Sequence, residues 1–106
     1  MATSLRVVLV TAPRGRRTEA LARGIIETGL AACVNILPGV VSHYLWKGKP
    51  CRDSECILII KTRASKLKAL ERWIVSRHPY ALPEVIALPV VAGSKNYLAW
   101  LRESVR

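Results

Sequence analysis

Imidazole, phenol and carboxylate stand close together in His78-Pro79-Tyr80-Ala81-Leu82-Pro83-Glu84. These are groups that bind metal ions and exchange protons. Each proline fixes its own φ and pushes the residue before it toward extended geometry. The stretch therefore predicts a stiff connection that holds His78, Tyr80 and Glu84 in repeatable positions. A purely architectural role also fits, with the prolines shaping a crossover and His78 closing a helix end. Cys33, Cys51 and Cys56 add soft donors, and thiolate with imidazole suits copper and zinc. None of them forms a C-x-x-C pair, and no spacing is that of a known metal motif. Cys33 with His78 would also suit a nucleophile and its base, but nothing else resembles an active site. Cys33 in Ala-Ala-Cys-Val also fits a small core residue. Cys56 is expected to be structural, Cys51 exposed and oxidisable, and His43 a surface residue.

The elements that must position these groups follow from periodicity. Leu5 to Thr11 reads as a central strand, apolar on both faces, and is broken by Pro13-Arg14-Gly15. Thr18 to Leu30 has helical spacing, with Leu21, Ala22, Ile25 and Ile26 on one stripe and Gly29 as its stop. Cys33 to Leu37 is a second strand, closed by Pro38-Gly39. Val40 to Lys47 continues it, with Tyr44 and Trp46 on one face. Gly48-Lys49-Pro50 turns the chain, and Glu55 to Thr62 returns, giving one long hairpin with a kink or bulge near Pro38-Gly39. Ser65 is expected to cap the next helix, whose stripe is Leu67, Leu70 and Ile74. Glu84 to Val91 is the fourth strand, an edge or an end where Pro89 cannot donate. Ser94 caps a last helix with Tyr97, Leu98, Trp100 and Leu101.

The order β-α-β-β-α-β plus a terminal helix is the ferredoxin-like pattern of the α+β class, a single domain over residues 1–106. Both helices then cover one sheet face. The strands are nonetheless apolar on both sides, as Val7-Val8-Leu9-Val10 and Ile57-Leu58-Ile59-Ile60 show. An uncovered apolar face, with Tyr44 and Trp46 on a projecting ribbon, predicts an oligomer in which sheets pack together.

Composition narrows the partners. The chain is 51% hydrophobic with a net charge of +10. Its basic residues are scattered, so the charge is read as solubility rather than a polyanion site. Base stacking needs aromatics on the central strands, and these strands are aliphatic in a chain without Phe. We therefore expect no nucleic-acid partner. The longest apolar run, Val85 to Ala92, is far short of the ~20 residues that span a bilayer. No leader is read at the start, and the odd cysteine count suggests reduced thiols, so a cytoplasmic location is expected.

The residues resemble the CutA family of divalent-cation tolerance proteins. The resemblance is carried by Val8-Leu9-Val10-Thr11-Ala12-Pro13 and by Leu30-Ala31-Ala32-Cys33-Val34-Asn35-Ile36 through Pro38-Gly39, Tyr44, Trp46, Gly48 and Lys49. It continues in Lys61-Thr62, His78-Pro79-Tyr80, Pro83-Glu84, Leu88-Pro89-Val90, Gly93 and Tyr97-Leu98-Ala99-Trp100-Leu101. It implies a tight homotrimer joined through the long hairpins, a cytoplasmic protein of metal tolerance, and no enzymatic activity. It implies copper, or another divalent cation, held by Cys33 and His78 with Glu84 assisting. Cysteines that some members carry are replaced here by Val10 and Trp73, a second histidine by Arg77, and the usual glutamate after His-Pro-Tyr by Ala81. Shared residues Trp46, Lys61, Tyr80 and Glu84 are candidates for a pocket between subunits. Lys61 with Glu84 would make either a locking salt bridge or part of a small-anion or metal site. Similarity in shape to PII-type regulatory trimers keeps open a signalling or scaffold role with a small anionic ligand or a protein partner.

Overall fold

The structure is a computed structural model and describes residues 3–106. Four strands form one antiparallel sheet in the order β2-β3-β1-β4. They are β1 (Leu5–Ala12), β2 (Cys33–Trp46), β3 (Lys49–Arg63) and β4 (Ile86–Pro89). The helices are α1 (Arg16–Glu27), α2 (Leu67–Arg77) and α3 (Lys95–Ser104). This is the expected α+β architecture with the long hairpin between β2 and β3.

Alternation along the strands builds the core. Val8, Val10, Leu58 and Ile60 are buried against Leu21 and Ile25 of α1 and Leu70 and Ile74 of α2. Register places Val8 opposite Ile60, and Val10 opposite Leu58. The residues between them face the other way. Val7, Lys61, Cys33 and Leu88 form one row across the sheet, and Leu9, Ile59, Asn35 and Ile86 the next. Helices α1 and α2 pack on the opposite face. Helix α3 reaches these rows at Lys61, whose ammonium lies 3.5 Å from the Tyr97 hydroxyl, and Leu37, Ile86 and Leu88 remain about half exposed. The open apolar face read from the strands is present.

The hairpin departs from simple alternation once. Leu37 pairs with Ile57, but Val40 pairs with Glu55, so β2 carries one extra residue at Pro38-Gly39. Gly39 has φ +74, a conformation that favours glycine. An extra residue reverses which side chains of the strand face which way. Beyond the bulge it is Val40, Ser42, Tyr44 and Trp46 that share the open face with Glu55, Asp53, Cys51 and Lys49. The turn itself is Lys47-Gly48, both with positive φ, rather than Gly48-Lys49-Pro50. Two successive positive φ values match the twist of a tight hairpin.

Three sequence expectations shift. Ser65 lies inside a 3-10 turn, Ala64–Lys66, so Lys66 takes the N-cap position of α2 without a side-chain cap. The Ala64 N–H is tied to the Ser4 carbonyl at 2.7 Å, which starts that turn early. Helix α1 begins at Arg16, and the Thr18 hydroxyl donates to the Pro13 carbonyl. Strand β4 spans Ile86–Pro89 instead of Glu84–Val91, because only Arg6 to Leu9 of β1 pair with it. Residues 82–85 instead run as a connection toward the hairpin.

Candidate functional site: an acidic cleft between the hairpin and the His78–Glu84 connection

Helix α2 ends where His78 takes an extended backbone, with its N–H still bonded to the Ile74 carbonyl at 2.8 Å. The ring then turns inward and is buried, 7% exposed. Its Nε2 lies 2.8 Å from the Thr11 carbonyl, and the Tyr80 N–H donates to its Nδ1 at 3.1 Å. A carbonyl can only accept, so Nε2 carries the proton and Nδ1 offers its lone pair. Both ring nitrogens are engaged. His78 therefore staples the connection to the end of β1 and fixes the direction in which Tyr80 leaves. The two rings also touch, with centroids 4.7 Å apart.

Tyr80 reaches across to the hairpin. Its hydroxyl donates to Glu55 Oε2 at 2.7 Å. Glu55 is a carboxylate only 5% exposed. Burial, then the hydrogen bond to Glu55, pushes the Tyr80 phenol well above its ordinary range. Farther out, the Tyr44 hydroxyl donates to Asp53 Oδ2. That bond, more than desolvation, pushes the Tyr44 phenol up to about 12. A phenol that donates to a carboxylate must hold its proton, which is the physical cause of both shifts.

Between these walls lies a cleft of about 720 Å³, lined by residues that include Thr11, Tyr44, Trp46, Asp53, Glu55, Tyr80, Leu82 and Glu84. Three of the chain's seven acidic residues line it, and no Lys or Arg does, although the chain has seventeen. A small acidic enclave thus sits on a strongly basic molecule. His43 is exposed and also lines the cleft.

The residues expected to act divide into two groups. His78, Tyr80, Glu84 and Trp46 come together at this cleft, His78 as its staple and the others as lining. Cys33 and Lys61 lie elsewhere. Cys33 pairs with Lys61, which pairs with Val7, whereas His78 bonds Thr11. Val7 and Thr11 are separated by about 13 Å of strand. One protomer does not bring Cys33 to His78. Nor does Lys61 meet Glu84 within the chain. Its ammonium lies 3.5 Å from the Tyr97 hydroxyl and 5.7 Å from that ring. Among the described residues, no three His, Cys, Asp or Glu side chains converge as a metal's ligands. Sequence reasoning missed Asp53 and Glu55. The signal was present in the bulge it did expect, whose single extra residue turns Tyr44 and Trp46 onto the carboxylates' face. Cys56 is buried, while Cys51 is only partly exposed.

The profile described as CutA1 divalent ion tolerance protein matches residues 6–104. Protein CutA, chloroplastic, of Arabidopsis thaliana is 51% identical over 100 residues, which cover 94% of this chain and 55% of that protein. The chain thus spans about half the length of that curated relative. The crystal structure of CutA1 from Oryza sativa superposes with a TM-score of 0.93 at 48% identity, covering 99% of this chain and 96% of that one. A structure described as PII-like protein CutA from Nostoc, in apo form, superposes with a TM-score of 0.87 at 31% identity, covering 95% and 97%. A match over nearly the whole length, together with the ferredoxin-like sheet and long hairpin, shows that this chain belongs to the CutA1 divalent ion tolerance protein family.

Proposed function

We propose that the chain works as a non-catalytic homotrimer that binds divalent cations, copper first, as cargo rather than as a resident cofactor. The observation that carries this reading is the acidic cleft. It gathers Glu84, Glu55 and Asp53 on a molecule of net charge +10 and admits no Lys or Arg to its lining. The ligand set we propose is Cys33, His78 and Glu84. One copy keeps Cys33 apart from the other two, so a site using all three draws them from different copies, with the open sheet face as the surface on which copies meet. Ligation by His78 requires Nδ1 to exchange the Tyr80 N–H for the metal. Imidazole, thiolate and carboxylate together favour copper over the hard cations. No helix of the described residues is long and apolar enough to cross a membrane. We place the protein in the cytoplasm, a compartment that would keep its three free cysteines reduced.

Calorimetric titration of the reduced protein with copper tests the ligand set. Wild type is expected to bind, and His78→Ala and Glu84→Gln to bind at least about tenfold more weakly, the loss of one good ligand or its support. Equal binding by all three would remove both residues from the site.

A second reading is a PII-like signalling trimer. The shape of the Nostoc protein supports it, as does Lys61, whose ammonium on the open face lies beside Tyr97 rather than a carboxylate. It predicts ligand-dependent melting that Lys61→Ala removes, with no dependence on metal.

A further inference from the structure

We infer that the hairpin wall of the cleft holds an organic cation, an ammonium or guanidinium group, between Glu55, Asp53 and the rings of Tyr44, Trp46 and Tyr80. This goes beyond the metal reading, since it uses neither Cys33 nor His78 as a ligand. The starting point is Glu55. A carboxylate taken out of water needs a countercharge or a full set of donors. Glu55 is 5% exposed and has one neutral donor, the Tyr80 hydroxyl on Oε2. Its Oε1 receives no hydrogen bond from the described residues, and the side chain lines the cleft. No Lys or Arg lines the cleft to balance it.

The surroundings decide the kind of cation. A cleft of about 720 Å³ has room for a small organic molecule. Asp53 and Glu55 each already accept a phenol hydroxyl, and no three ligands converge as an ion requires among the described residues. What the walls offer instead is carboxylate oxygen at two depths and the electron-rich rings of Tyr44, Tyr80 and Trp46, the last already facing the Lys47 ammonium at 6.0 Å. Ammonium and guanidinium groups are attracted to such ring faces and donate several N–H bonds to carboxylates. The phenols keep their protons far into alkaline pH, so their hydroxyls stay directed at the carboxylates and add no negative charge of their own.

Such a group can come from a free diamine-like molecule or from a Lys or Arg side chain of a second copy. Calorimetry of the full chain with agmatine, which carries one guanidinium and one ammonium, separates the two sources. A free ligand predicts saturable binding to wild type that weakens at least about tenfold in Glu55→Gln and in Asp53→Asn, since hydrogen bonds to charged groups are lost. Asp53 is exposed, so its variant keeps the test valid where Glu55→Gln fails to fold. A side chain from a second copy predicts no agmatine binding to wild type. It also predicts that Asp53→Asn shifts the assembly to smaller species at a protein concentration where wild type stays assembled. Agmatine binding unchanged in Asp53→Asn, or no agmatine binding together with an unchanged assembly, overturns the inference. Copper titration of Asp53→Asn runs alongside. Copper binding kept while agmatine is lost shows two separate sites, and agmatine binding kept in wild type without copper binding sinks only the metal reading.

Discussion

A buried carboxylate served by one phenol makes Tyr80 a structural as well as a site residue. Removing its hydroxyl takes from Glu55, a carboxylate only 5% exposed, its hydrogen-bond donor among the described residues, which costs about 1–3 kcal/mol. Tyr80→Phe is therefore expected to lower the denaturation midpoint at neutral pH. The pH dependence follows from the raised phenol. Its folded value lies above the ordinary phenol value of 10.0, so its stabilising contribution is complete below pH 10 and is lost as pH rises through the folded value. The difference between wild type and Tyr80→Phe should thus be constant from neutral pH to about pH 10 and shrink beyond it. A difference that is absent at neutral pH would show that Glu55 has another partner. His78, Tyr80 and Glu84 were legible as a group because two prolines compress them into seven residues. Glu55 and Asp53 were not, because hairpin residues meet the connection only after folding, across 25 positions in the case of Tyr80 and Glu55.

At the scale of elements, the bulge at Pro38-Gly39 controls the cleft. Deleting Gly39 removes the extra residue, so the outer half of β2 is expected to turn Tyr44 and Trp46 to the opposite face. The Tyr44 phenol, held at about 12 by Asp53, should then fall back toward 10.0. An alkaline titration followed by phenolate absorbance checks this, and an unchanged titration would mean that the strand slips to restore its register. Strand and helix types were readable because β1 and β3 are short aliphatic, β-branched runs and the period of 3.6 is strong in α1 and α2. The ends were less so. The 3-10 turn that displaces Ser65 depends on the bond from Ala64 to the Ser4 carbonyl, a contact between distant segments. The shortened β4 depends on where residues 82–85 diverge from β1, which itself runs on to Ala12.

For the whole molecule, the decisive feature is a sheet covered by α1 and α2 on one side and reached on the other only by α3, at the Lys61 end. Val7, Leu9, Ile57, Ile59, Ile86 and Leu88 face away from the helix layer, and the hairpin stretches the molecule to 44 × 28 × 24 Å. Apolar area left in water forgoes roughly 25 cal/mol per Å², so covering it favours assembly. Strands apolar on both sides made this face legible in the sequence. The number of copies was not legible from residues and rests on the family resemblance. Sedimentation of the pure protein at micromolar concentration tests the claim most directly. The account predicts a single species of three times the 11.7 kDa chain mass, driven to smaller species by Leu88→Lys. A stable, well-behaved wild-type species at the mass of one chain would contradict it.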